Sequence, residues 1–394
     1  MQIESIEIKN YRLFRDTKLT NIPRLCVLVG ANGTGKSTLF DVLSFLKDAL
    51  AMNVGKAVSK RGGYKELASR GYVNEPIELT LQFRLEITGY ERLVTYILKI
   101  EPDATGRAFV AREVLRYKRG ANGKPFHFLD FACGKGYAIT NEEDFSKADE
   151  ALKREDQELD ATDILAIKGL GQFERFKAAS AFRLMIENWH ISDFHVSDAR
   201  QSQEDGFAEH LSTQGENLPL VANYLFEHHR DRFDRVLKSM QQRVPGVSVV
   251  EPRQTEDGRL VLRFQDGSFK DPFIARHVSD GTIKMFAYLV LLNDPKPYPL
   301  LAVEEPENQL YPELLAELAE EFRSYAKRGG QVFISSHSPD FLNALTLDEI
   351  YCLRKQEGFT RITRAGDSEN LRALFDAGDL PGYLWKQGLF EGLN

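Results

Sequence analysis

Residues 30–37 read GANGTGKS and lie between a compact apolar run, RLCVLV at 24–29, and a stretch at 37–50 whose apolar residues recur at helical spacing. No other feature restricts the fold so tightly. The pattern G-x-x-x-x-G-K-[ST] between a strand and a helix is a phosphate-binding loop. Gly30, Gly33 and Gly35 let the backbone curl with its N–H groups pointing inward, and a helix starting near Lys36 adds the positive end of its dipole. Asn32, Gly33, Thr34, Gly35, Lys36, Ser37 and Thr38 are the candidate nucleotide-binding residues. Lys36 would neutralise β- and γ-phosphate oxygens of ATP, and the Ser37 hydroxyl would ligate Mg²⁺.

A second constraint lies far along the chain, in PLLAVEEPENQLYP at 299–312, where a short apolar strand runs into Glu304 and Glu305. Two like charges at the end of a buried strand repel and cost desolvation energy, so they need a compensating group. Because side chains alternate between the faces of a strand, the two carboxylates cannot address one target in the same way. Glu304 is therefore assigned to Mg²⁺, directly or through a ligated water. Glu305 is assigned to positioning the attacking water and acting as general base. Upstream, VSDGT at 278–282 precedes an apolar helix and places Ser279 and the Gly281 backbone at a helix start able to bind an anion. Downstream, VFISSHSPDFL at 332–342 ends a further strand at Ser335, Ser336 and His337, and places His337 to contact the γ-phosphate or the attacking water.

The remaining pattern is that of an α/β protein. Residues 2–9 alternate as a strand, and 75–131 holds several β-like runs separated by turn residues, an antiparallel meander inserted after the first helix. Residues 146–158 (SKADEALKREDQE) are highly charged and helical in composition, 173–189 read as an amphipathic helix and 190–196 as a strand. A helical pair at 218–243 and a hairpin at 247–264 around Asp257-Gly258 follow. After Asp271 helix and strand alternate at 282–292, 300–303, 313–326 and 331–335, as in a parallel sheet. The tail from 348 to 394 reads as two short strands and two short helices. These readings divide the chain into 1–140, the first part of the core with a β-rich lobe; 141–190, a helical insertion; and 191–394, the remainder of the core.

Composition narrows the partners. The longest apolar run, MFAYLVLL at 285–292, is far short of the roughly 20 residues of a membrane span, and the alternating N-terminus is unlike a secretory signal; no membrane partner and a cytoplasmic location are expected. Cys26, Cys133 and Cys352 are scattered without C-x-x-C pairing, and are read as buried inert thiols. With 51 basic and 58 acidic residues the net charge is −7, which argues against a general nucleic-acid coat. One local run, KAVSKRGGYKELASR at 56–70, carries five basic residues and one acidic, and is a candidate DNA contact.

The order of phosphate loop, S-D-G at a helix start, acidic strand and S-H-S resembles the ABC-type ATPases, in the non-transporter branch that includes SMC, RecF and OLD proteins. IESIEIKNYRLF, GANGTGKSTLFDVLSFL, VSDGT, EEPENQLYP and SSHSPDFLNAL carry the resemblance, over roughly the first fifty and last hundred and twenty residues. It implies an ABC-type P-loop NTPase core with a parallel sheet, an antiparallel β lobe and an inserted helical region. It further implies a twofold homodimer sandwiching two ATP molecules, each between one chain's phosphate loop and its partner's Ser279–Thr282 segment. Arg12 would then lie near the nucleotide, and Asn308 and Gln309 would meet the partner. Gln82, Gln201 and Gln203 all remain candidates for the family's glutamine loop. Glu304 replaces the usual aspartate, and Tyr311 stands where OLD-like relatives often have histidine. The chain carries neither the long coiled coil of SMC proteins nor a nuclease domain after SSHSP. Such short members resemble regulatory ATPases that work with a separately encoded nuclease or toxin in DNA repair or antiphage defence.

Overall fold

A computed structural model describes residues 2–118, 125–140 and 152–392. They form two compact units, one built from residues 2–189 with Ile350–Ser368, the other from His190–Glu349 with Glu369–Gly392.

The first unit contains an eight-stranded antiparallel sheet, in the order Phe14–Leu19, Gln2–Tyr11, Ile77–Ile87, Tyr90–Pro102, Ala108–Tyr117, Phe126–Ala132, Lys135–Ile139 and Arg154–Glu158. Strict alternation in IELTLQFRLEI buries Ile77, Leu79, Leu81, Phe83, Leu85 and Ile87 on one face. The hairpin that follows turns at Thr88 and Gly89, φ 51° and 79°, the left-handed pair that matches strand twist. Helix Lys177–Glu187 covers this sheet through Phe182, stacked at 4.7 Å on Phe83 and 4.5 Å from Tyr96. Helix Ala166–Leu170 is pinned by the wholly buried Glu113, which accepts from Tyr96 Oη at 3.0 Å and from the backbone N–H groups of Ala166 and Ile167. Burial pushes the Glu113 carboxyl up to about 7, although those three donors favour its charged form.

The meander expected at 75–131 is present in its described residues, but in the stretch read as helical at 146–158 the described end, Arg154–Glu158, is a strand. Residues 146–151 lie outside the described residues, and Arg154–Glu158 is the last strand of the sheet, paired with Lys135–Ile139. Edge strands tolerate charge because one side of the ladder faces water. Here Lys135 Nζ meets Glu158 Oε1 at 2.7 Å and the Arg154 guanidinium lies over Tyr137. Expected helix 173–189 begins only at Lys177, and expected strand 190–196 is Trp189–Ser192, with Val196 opening a short helix. Cys26 and Cys352 are buried and their thiols pushed up by desolvation, but Cys133 is exposed, so the reading of three buried thiols fails at one.

The same unit holds the strand Leu25–Val29, buried at every position, which pairs in parallel with Ile350–Gln356; that strand turns at Glu357-Gly358 into antiparallel Phe359–Arg364. In the second unit Leu300–Glu304 pairs in parallel with Gln331–Ser336, Glu304 opposite Ser335. Helix Asp280–Leu292 is buried continuously from Thr282 onward, including the charged Lys284, as its largely apolar sequence requires. Helices Leu218–His228 and Arg230–Arg243 and the hairpin Val247–Gln254/Arg259–Asp266 match the sequence expectation.

Candidate functional site

The phosphate loop leaves strand Leu25–Val29 and enters helix Lys36–Ala51. Gly33 (φ 78°) and Gly35 (φ 104°, the helix N-cap) are left-handed, a conformation that costs other residues dearly. A Cβ on Gly35 would stand 2.7 Å from Thr360 Oγ1, and one on Gly30 would stand 2.5 Å from the Leu353 carbonyl, so the loop is pressed against the returning hairpin. Thr360 braces it further, donating Oγ1–H to Thr34 O at 2.7 Å and N–H to Leu13 O at 2.9 Å. Lys36, 6 % exposed, folds back over the loop and donates Nζ–H to Gly30 O at 2.7 Å and Ala31 O at 3.3 Å. Thr34 Oγ1 donates to Ala31 O at 2.8 Å, closing the turn. Asn32 and Ser37 are exposed and Thr38 is buried.

Arg12 occupies a two-residue turn between Tyr11 and Phe14 with φ 47°. Its guanidinium is 3.1 Å from Asp41 Oδ2, on the phosphate-loop helix. Asp41 also accepts from Tyr11 Oη at 2.8 Å and Arg61 Nε at 2.7 Å, and Arg61 reaches Asp48 at 2.8 Å. The basic run at 56–70 is thereby largely committed: Lys60 is paired with Asp48, Arg61 with Asp41 and Asp48, and Arg70 with Glu66, while Lys56 and Lys65 are exposed. Sequence spacing shows only the Arg70–Glu66 pair, four residues apart, because Asp41 and Asp48 come from another helix.

In the second unit, strand Leu300–Glu304 delivers an exposed Glu304, and the chain then bends sharply: Glu305 has φ 43°, rare for a side chain of this size. The bend is held by Glu305 N–H donating to Ser335 O at 3.0 Å. Asn308 Nδ2 donates to Glu305 Oε2 at 2.9 Å, and His337 Nδ1 lies 3.5 Å from Glu305 Oε1. Ser279 caps helix Asp280–Leu292, accepting from Thr282 N at 3.3 Å, with its hydroxyl 2.7 Å from that of Thr282. A Cβ on Gly281 would stand 2.7 Å from Gln309 O, so the helix start and the loop after the acidic strand touch through a residue that must be glycine. Gln309 is itself left-handed, φ 66°, and Tyr311 is 67 % exposed.

Each unit therefore brings its own predicted residues together: Gly33, Thr34, Gly35 and Lys36 in the first, Glu305, His337 and the Ser279–Gly281 turn in the second. Of the glutamine candidates, Gln82 accepts from Ser5 within the antiparallel sheet and Gln203 donates to Glu216 O at 2.7 Å. Three participants had no assigned role. Thr360 has no motif signal at all. Lys284 donates Nζ–H to Asn308 O at 2.7 Å, and burial pushes its ammonium down to about 8 against the pull of Glu307 and Glu305. Glu307, inside EEPENQ, is 8 % exposed and accepts from Ser336 and His337; a third carboxylate close behind the acidic pair was its only trace.

The residues fit a nucleotide with magnesium. The loop curls at its left-handed glycines with open space beside Gly33, and the lysine folds over it, as a phosphate cradle requires. Among the described residues no group of three or more His, Cys, Asp or Glu side chains forms a metal cluster. Magnesium beside a nucleotide needs none, since it takes phosphate oxygens and waters with one or two protein oxygens.

A family model described as "AAA domain, putative AbiEii toxin, Type IV TA system" matches residues 25–343. Among solved structures, an Smc head bound to the C-winged helix domain of ScpA is similar at 14% identity and TM-score 0.54, over 92% of this chain and 98% of that one. An Smc head domain with an extended coiled coil, bound to the C-terminal domain of ScpA derived from Pyrococcus furiosus, is similar at 13% identity and TM-score 0.52, over 96% and 100%. No curated protein sequence matches. Likeness at such identities is likeness of fold, that of the ABC-type ATPase head. No helix of the described residues is long and apolar enough to cross a membrane. With the family model spanning most of its length, the chain belongs to the AAA-domain family described as putative AbiEii toxin of type IV toxin–antitoxin systems, built on the fold of SMC heads.

Proposed function

We propose that this protein binds and hydrolyses ATP, dimerising around the nucleotide to control a partner. The phosphates lie along the backbone of residues 33–37, with Lys36 leaving its two loop carbonyls for β- and γ-phosphate oxygens. Ser37 and Glu304 are the residues that would hold Mg²⁺, which would supply positive charge beside the phosphates. Glu305 orients the attacking water and takes its proton, and His337 sits where it can contact that water or the γ-phosphate. Ser279 and Gly281 close over the nucleotide of a second copy.

The observation that carries this reading is Glu305, a non-glycine residue held at φ 43° by Ser335, with its carboxylate fixed between Asn308 and His337. Thr88 and Glu357 take similar φ values in hairpin turns, so it is the pairing of this strain with the held carboxylate that marks a functional site. The test is Glu305→Gln, which should keep ATP affinity, lose turnover by roughly a hundredfold or more, and accumulate as an ATP-dependent dimer by light scattering. Unchanged turnover removes Glu305 from the role of base.

For the output, the committed basic run favours a protein partner over DNA. With three of its five cations paired to carboxylates, it offers less net charge for phosphate contacts than its sequence alone indicates. We therefore favour an ATP-gated scaffold that holds or releases a separately encoded nuclease or toxin in the cytoplasm, in keeping with the toxin–antitoxin description of the family. Action on DNA in repair or antiphage defence is the second reading. A partner complex dissolved by ATP supports the scaffold; turnover stimulated by DNA supports the second.

A further inference from the structure

Glu307 has no part in the scheme above, and its burial demands a reason, since a carboxylate away from water is costly unless paired and hydrogen-bonded. It is 8 % exposed. Its Oε1 accepts from Ser336 Oγ at 2.9 Å and from the His337 backbone N–H at 2.9 Å, and lies 3.5 Å from His337 Nδ1. The same ring nitrogen is 3.5 Å from Glu305 Oε1. One carboxylate thus holds the main chain of His337 while two carboxylates flank one side of its ring. Charge balance comes from Lys284, also buried at 6 % exposure, whose ammonium interacts with Glu307 and Glu305 and donates to Asn308 O. Asn308 in turn holds Glu305 Oε2.

A carboxylate accepts but cannot donate. With oxygens of both Glu305 and Glu307 3.5 Å from Nδ1, a neutral imidazole that carries its proton on Nδ1 turns it toward two acceptors and leaves Nε2 as the accepting nitrogen. We propose that Glu307 is a positioning residue of the hydrolytic centre, setting the place and the Nδ1–H tautomer of His337 beside Glu305. The proposal rests on the ATPase reading for the use made of His337, but the geometry it asserts exists without nucleotide. A merely structural Glu307 would hold the loop and leave the tautomer indifferent to its charge.

The test uses the full chain with ¹⁵N-labelled histidine, comparing wild type, Glu307→Gln and Glu307→Asp, and Glu305→Gln and His337→Ala as references. In wild type the neutral His337 ring should be the Nδ1–H tautomer, and Glu307→Gln should shift it toward Nε2–H. ATP turnover of Glu307→Gln should fall roughly ten- to hundredfold, as for other groups that orient a reacting side chain, with the affinity for a non-hydrolysable ATP analogue within about twofold of wild type. The double variant with His337→Ala should be no slower than His337→Ala alone, because the two act as a unit. An unchanged tautomer in Glu307→Gln, or losses that multiply in the double variant, overturns the proposal. If wild type turns over ATP no faster than Glu305→Gln, the ATPase reading falls and the tautomer comparison alone decides Glu307. If Glu307→Gln does not fold by circular dichroism, Glu307→Asp, which keeps the charge but withdraws it by one methylene, carries the same comparison.

Discussion

At the phosphate loop Lys36 donates to the carbonyls of Gly30 and Ala31; at the acidic strand end Glu305 and Glu307 accept from Asn308 Nδ2, Ser336 Oγ and the His337 main-chain N–H, with the His337 ring 3.5 Å from both and the Lys284 ammonium nearby. The first half depends on glycine φ values within eight consecutive residues. The second depends on groups gathered from a helix, a bend and a strand end. Backbone-built sites bind, because N–H groups and a helix start present fixed partial charge. Side-chain networks set where a proton sits, because their members can titrate or change tautomer.

The sharpest separation of the halves is kinetic. Glu305→Gln should lose roughly a hundred- to ten-thousandfold in turnover while keeping its affinity. Lys36→Ala should instead lose roughly a hundredfold in ATP affinity, measured by equilibrium titration, a cost typical of removing a charge-assisted contact to phosphate. Equal losses of affinity in both variants would erase the division.

The buried ionisable groups of the two units should respond to pH in opposite directions. Glu113 is pushed by burial from 4.5 to about 7, so between those values the folded chain holds a proton that the unfolded chain has released. Stability therefore declines as pH rises from about 4.5 to about 7, by about 3 kcal/mol in all. Lys284 is pushed from 10.5 down to about 8, so the unfolded chain binds the extra proton and stability rises between about pH 8 and 10.5 by a similar amount. Denaturant titrations across pH should show the first slope vanish in Glu113→Gln and the second in Lys284→Met.

Smaller effects refine the backbone half. Thr360→Val keeps the shape but strips Thr34 O of its buried donor, and should cost about 1–2 kcal/mol of stability with a weaker grip on nucleotide. Arg12→Ala should change stability by less than about 1 kcal/mol, because its ion pair is partly exposed and Arg61 still holds Asp41. A large loss of ATP affinity in Arg12→Ala, by contrast, would give that arginine the nucleotide contact that the family resemblance implies.

How much was legible follows the same division. GANGTGKS specifies its own conformation, since only glycine accepts the φ values of Gly33 and Gly35 at low cost, and the alternation of IELTLQFRLEI specifies a half-buried strand. Composition misled at Arg154–Glu158 because its pairing with Lys135–Ile139 is a tertiary contact that overrides composition. Thr360 carried no signal because it meets Thr34 across more than three hundred residues.

By itself the sequence determined the phosphate loop, the acidic strand and the order of elements, because those are written in local periodicity and in residues with narrow backbone preferences. Only tertiary structure decided which charges remain available. Asp41 and Asp48 take Lys60 and Arg61 of the basic run, Thr360 takes the loop carbonyl, and Glu307 and Lys284 lie around Glu305. A side chain's electrostatic partners are set by distance in space, which spacing along the chain does not encode.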